Sequence, residues 1–149
     1  MRNHFLIIEA RFYPDIADEL ASGAVAELER RGGSFERLAV PGVLEIPAAL
    51  SMVAQAQAGE RRFDGYVLLG CVIRGETTHY DIVANESARA IMDLAVQRAL
   101  AVGNGILTVN NGAQAWARAR VSEKNKGAAA AAAAFEMAGL RDRMGLADG

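Results

Sequence analysis

Four short apolar runs recur along the chain, each followed by a segment with helical periodicity, and this alternation confines the fold more than any other feature. The runs are residues 5–9 (FLIIE), 35–40 (FERLAV), 66–72 (YVLLGCV) and 105–109 (GILTV). After the first, Ile16, Leu20, Ala24 and Leu28 return every four residues, one buried stripe on an otherwise charged surface. Pro14 suits the opening turn of that helix, where a missing N–H costs nothing, and Gly32-Gly33 closes it. A second helix starts near Glu45 and Pro47 with Ile46, Ala49, Leu50 and Val53 inward, and a third runs from about Tyr80 to Leu100. Helical material fills the remainder, broken at Asn125-Lys126-Gly127. Strands this apolar, alternating with helices, predict a parallel sheet covered on both faces: a three-layer α/β/α sandwich. Run 35–40 carries Glu36 and Arg37 and so reads as a sheet edge.

At 149 residues the chain suits one domain, 1–149, whose core buries roughly two thirds of the unfolded surface. A formal net charge of −2 argues against a nucleic-acid partner, which would demand a clustered cationic excess. The single cysteine, Cys71, excludes an intrachain disulfide and a cysteine-built zinc site, and points to a cytoplasmic location. No membrane association is expected. No segment reaches the ~20 apolar residues that cross a bilayer, residues 128–134 being weakly hydrophobic alanine, and residues 1–15 hold too short an apolar run for a signal peptide. The expected partners are small molecules and other protein chains.

In open parallel sheets, ligands bind outside the carboxyl ends of the strands. That rule selects Arg11-Phe12-Tyr13, residues 41–45, residues 71–79 and residues 108–111. Among these, Gly75-Glu76-Thr77-Thr78 lies where the third strand ends and a long helix begins. Backbone N–H groups there lack intrahelical acceptors and face outward with the positive end of the helix dipole behind them, which suits a phosphate. Gly75 allows close approach; the hydroxyls of Thr77 and Thr78 serve as donors or simply cap the helix. His79 stands beside this turn. An imidazole suits proton movement near neutrality, although the position alone also fits a plain surface histidine.

These residues carry a family resemblance. GCVIRGETTHYD at 70–81, Arg11-Phe12, VPGVLEIPAA at 40–49, GILT at 105–108, QAWAR at 114–118 and NKG at 125–127 occur in order along nearly the whole chain. Together they resemble the 6,7-dimethyl-8-ribityllumazine synthase family. The resemblance implies a flavodoxin-like fold with a four-stranded parallel sheet. It implies a transferase of riboflavin biosynthesis, without metal or organic cofactor, that joins 5-amino-6-(D-ribitylamino)uracil to 3,4-dihydroxy-2-butanone 4-phosphate with loss of phosphate and water. A non-catalytic lumazine- or flavin-binding protein on the same scaffold is the alternative, and retention of His79, Arg118 and Thr77 argues against it.

By resemblance, Phe12 stacks on the pyrimidine ring, Glu45 accepts hydrogen bonds from ribityl hydroxyls, and Val43 and Leu44 line the same loop. Cys71, Val72 and Ile73 offer backbone groups to the uracil edge. Gly75, Glu76 and Thr77 hold the phosphate, with Arg118 as its charged clamp and Thr78 in support. His79 shuttles protons, and Lys126 matches a lysine near the site. Arg74 is read as structural, an ion-pair partner for Asp81 or Glu86. Two positions depart from the family pattern: Tyr13 replaces a common Asn, and Asn104 replaces a large aromatic that reaches a neighbouring subunit's substrate.

The resemblance further implies a homo-oligomer with each site built from two adjacent subunits, Arg118 and the position of Asn104 coming from the neighbour. Icosahedral members use a longer amino-terminal arm; here Met1 to His4 precede the first run. The expectation is a cyclic pentamer that stops at five, with Ile82, Val83, Ile91, Leu94 and Val96 of the third helix as partner surface.

Overall fold

In the computed structural model, which describes residues 3–56 and 62–146, each apolar run becomes a strand. The order is β1 (His4–Ala10), α1 (Pro14–Arg30), β2 (Ser34–Val40), a 3-10 turn (Val43–Glu45), α2 (Ile46–Ala56), β3 (Gly65–Ile73), α3 (His79–Arg98), β4 (Val102–Val109), α4 (Gly112–Ala119) and α5 (Lys126–Arg143). All strand pairings are parallel and the sheet order is β2-β1-β3-β4. Every connection is therefore a crossover carrying a helix, the α/β/α architecture that the alternation predicts.

Successive side chains of a strand point to opposite faces, so β1 divides its residues between two cores. Phe5 and Ile7, with Val67 and Leu69 of β3, pack under α1, α4 and α5. Leu6 and Ile8, with Leu68 and Val72, pack under α2 and α3. Burial on both faces holds for the two inner strands. It does not hold for the edges: β2 is largely exposed, as Glu36 and Arg37 suggest, and β4 alternates between buried and open positions. On β4, Gly103, Gly105, Leu107 and Val109 turn inward, while Asn104 and Thr108 are exposed and Val102 and Ile106 half-buried. The apolar run GILTV concealed this alternation.

Several boundaries differ from the periodicity reading. The strand β4 starts at Val102, three residues before the GILT run, because Gly103 lets α5 lie close: a Cβ there would collide with the Ala130 carbonyl. Ala130, Ala131, Ala134 and Ala138 give α5 the small buried face that such an approach needs. The α1 helix ends where glycine predicts, with Gly32 at φ +81° and the Gly33 N–H donating to Leu28 O at 2.8 Å. Asn125, at φ 47°, marks the expected break before α5. Ala99 ends α3 in the same left-handed region at φ 51°, with nothing in an alanine to signal it. Among the described residues, no helix is long and apolar enough to cross a membrane.

Candidate active site

The loops leaving β1, β2 and β3 surround a cleft of about 460 Å³ at the carboxyl ends of these strands. Phe12 and Tyr13 form one wall and Pro41 to Glu45 another; Cys71, Val72 and Ile73 lie between them, and Gly75, Thr77, His79, Tyr80 and Val83 close the α3 side. Close packing of the second wall depends on Gly70, because a Cβ there would stand 2.8 Å from Val43 Cγ2. The Val43–Glu45 turn thereby rests on β3, with the Glu45 carboxylate folded back toward Gly42.

Phe12 is 70% exposed and meets the Tyr13 ring edge-on, centroids 4.9 Å apart at 83°. A flat ring left this open is available to stack on a flat heterocycle. Burial raises the Tyr13 phenol above its ordinary pKa, and it pushes the Cys71 thiol up to about 11. Cys71 is thus a neutral, packed thiol at physiological pH and not a nucleophile.

At the start of α3, Thr78 occupies the cap position, yet its side chain makes no capping bond. The Thr77 hydroxyl accepts from the His79 N–H at 3.3 Å. Among the described residues, no acceptor meets the amides of Gly75, Glu76, Thr77 or Thr78. Free donors at a helix amino terminus form an anion cradle. Arg74 braces this turn from behind. Its guanidinium lies 4.2 Å from the Tyr80 ring centroid, 3.5 Å from Asp81 Oδ1, and donates to Asn110 Oδ1 at 3.1 Å. Asp81 is therefore its ion-pair partner, whereas Glu86 pairs with Arg89 at 2.7 Å.

The fold thus brings together Phe12, Val43, Leu44, Glu45, Cys71, Val72, Ile73, Gly75, Thr77 and His79. Glu76 and Thr78 belong to the turn, but neither lines the cleft. Three further residues lie apart from it. The half-buried Arg118 sits on α4 and donates to Gln114 O at 3.1 Å. Lys126 is the exposed first residue of α5. Asn104 accepts from the Ile106 N–H at 2.9 Å and borders a second groove of about 530 Å³ between α3, β4 and the end of α5. Val83 and Ile91, expected on the partner surface, turn inward at 6% and 3% exposure, and Met92 joins Val96 on the open side at 63% and 72%.

Sequence reasoning missed Tyr80 and Val83 as cleft residues, although a spacing of four puts Val83 on the same helical face as His79. It also missed Glu9, a carboxylate 2% exposed on the inner strand β1. Its partners are Arg11, in the turn between β1 and α1, and Arg37 of β2, and the second of these is remote in sequence.

The family model for 6,7-dimethyl-8-ribityllumazine synthase matches residues 2–142. The chain is 57% identical over 143 residues to 6,7-dimethyl-8-ribityllumazine synthase 1 of Rhizobium meliloti (strain 1021), covering 95% of this chain and 94% of that protein. It is 56% identical over 142 residues to the synthase of Bartonella bacilliformis, covering 95% and 92%. Against the synthase of Agrobacterium fabrum it is 54% identical over 143 residues, covering 95% and 97%. Both the extent of the match and the identities leave one assignment: the chain belongs to the 6,7-dimethyl-8-ribityllumazine synthase family.

Proposed function

We propose that the cleft between Phe12 and the α3 turn is where this enzyme of riboflavin biosynthesis condenses 5-amino-6-(D-ribitylamino)uracil with 3,4-dihydroxy-2-butanone 4-phosphate. Family membership supports catalysis over a carrier role. The observation that carries the assignment is one cavity lined by an open aromatic ring, by Gly75 and Thr77 of a turn with free amides, and by an exposed histidine. In this reading the pyrimidine lies against Phe12 with its uracil edge on the backbone of Cys71, Val72 and Ile73. Its ribityl chain runs past Val43 and Leu44 to Glu45. The phosphate of the second substrate rests on the amides of Gly75, Glu76 and Thr77, with Thr78 alongside.

The reaction forms an imine, eliminates phosphate and closes the second ring to 6,7-dimethyl-8-ribityllumazine, releasing water. Each step moves a proton and none requires a protein nucleophile, which agrees with the neutral Cys71 thiol. Catalysis is then chiefly the positioning of two substrates, aided by His79 as proton shuttle. Purified protein mixed with both substrates gives the green fluorescence of the lumazine; absence of product would refute the assignment. In the same assay, His79→Ala slows turnover about 10- to 100-fold, at and below the lower end of acid–base contributions. Complete loss would mean that the imidazole does more than move protons.

The single chain leaves Arg118 outside its own cleft and the groove beside Asn104 apolar and open, which supports an assembly in which neighbours complete each site. We assign Arg118 to the neighbour's phosphate, Asn104 to the neighbour's substrate edge, and Lys126 to the vicinity of that junction. The assembly is read as a cyclic homopentamer of single domains spanning residues 1–149. Its lone, buried thiol suits a reducing, cytoplasmic compartment.

A further inference from the structure

A ring as exposed as Phe12 is aimed mainly by its backbone, and the residue before it is unusually well tied. Arg11 donates through Nη1 to Glu9 Oε1 at 2.7 Å and through Nη2 to Asp18 Oδ1 of α1 at 2.7 Å. Its N–H donates to Val40 O at 3.0 Å, joining the end of β1 to the end of β2. Glu9 holds a second guanidinium as a two-point fork: Arg37 of β2 donates from Nε to Oε2 at 2.7 Å and from Nη2 to Oε1 at 2.8 Å. Arg11 is thus fixed against Glu9 and Asp18 on the α1 side, and the chain bends at the next residue, Phe12, whose ring lines the cleft, so the course on which the backbone delivers Phe12 is set from Arg11. The same carboxylate, through Arg37, sets where β2 releases the loop of residues 41–45, the opposite wall.

An ion pair with a buried carboxylate is weak evidence of net stability, and in some proteins such pairs contribute conformational specificity instead. We infer that Glu9 is a positioning residue for the pyrimidine substrate: a buried carboxylate that, by gripping Arg11 and Arg37, sets the direction of Phe12 and its distance from the Val43–Glu45 wall. The inference rests on the reading of Phe12 as the stacking ring.

The test uses the assembled full-length protein and steady-state kinetics followed by lumazine fluorescence. Glu9→Gln keeps the shape but lacks the charge and an acceptor oxygen, so one guanidinium loses its fork. Its KM for the pyrimidine rises about 10-fold, while kcat and the KM for the butanone phosphate stay within about twofold, since a small misplacement affects the ring that it aims. Arg37→Lys, which keeps the charge and loses the fork, raises the same KM about threefold, and it serves alone if Glu9→Gln does not assemble. In a Phe12→Ala background either change raises this KM by much less than it does alone, only the part that acts through the 41–45 wall remaining. Equal movement of both KM values, no movement, or effects that add in full to Phe12→Ala would overturn the inference. If Phe12→Ala itself leaves the pyrimidine KM unchanged, the stacking reading fails first and takes the inference with it; if that variant responds and the Glu9 effect merely adds, the inference alone fails.

Discussion

Arg118→Ala lowers kcat/KM for the butanone phosphate by about 10²- to 10³-fold, the loss expected when a charge-assisted donor to a departing anion is removed. The dissociation constant of the pyrimidine substrate stays within about twofold, because in the proposed arrangement Arg118 meets only the phosphate. Equal losses for both substrates would contradict the role. In its own chain the guanidinium turns to the Gln114 carbonyl, held there by an α4 start in which Asn111 accepts from the Gln114 N–H at 2.9 Å. In the proposed arrangement the clamp acts across a subunit boundary. Co-assembly of Arg118→Ala chains with His79→Ala chains tests this directly: some junctions then combine an intact arginine with an intact histidine, and activity rises above the mean of the two parents. No rise would return Arg118 to its own cleft.

The second large effect comes from Met92→Glu. Met92 is 63% exposed on the open side of α3, beside the groove bounded by β4 and α5. In an isolated chain a surface carboxylate there changes stability by about 0.5 kcal/mol or less, so the far-ultraviolet circular dichroism spectrum is retained. Sealed inside an interface whose lining is mostly apolar, the same charge is stripped of water and carries a penalty of several kcal/mol. The expected result is a folded monomer of 15.8 kDa in solution, with lumazine formation down at least about 100-fold because, in the proposed arrangement, each cleft then lacks the neighbour's Arg118. A monomer that retains full activity would show that one chain holds a complete site; an unaltered assembly would place the interface elsewhere.

The layered fold was legible because its evidence is local. Phe5, Ile7 and Ile8 on β1 and Val67, Leu68 and Leu69 on β3 are fully buried, and in a parallel sheet both faces of an inner strand read as apolar. Glu36 and Arg37 likewise announced the β2 edge. What escaped was decided by residues remote in sequence. Gly103 and Asn104 look like a turn until the carbonyl of Ala130 is laid beside Gly103, and Ala99 adopts a conformation that no alanine advertises. The cleft was legible where strand ends converge, from Phe12 through Glu45 to His79. Glu9 was not, since a carboxylate at the end of an apolar run means little before Arg37, 28 positions on, is folded against it. Arg118 and Asn104 could be named by family pattern alone, since in the single chain neither lines the cleft.

Gly75 has open space in every direction that a side chain would take, and its backbone torsion lies outside the left-handed region. Folding alone would thus tolerate many residues there, as it would at Glu76 and Thr78. Every residue except proline offers a backbone N–H, so such a turn can vary in lettering and still present the amides that the proposed phosphate site uses. In that arrangement any pressure to keep position 75 bare comes from the bound phosphate, and the gene then records the shape of a molecule that it does not encode.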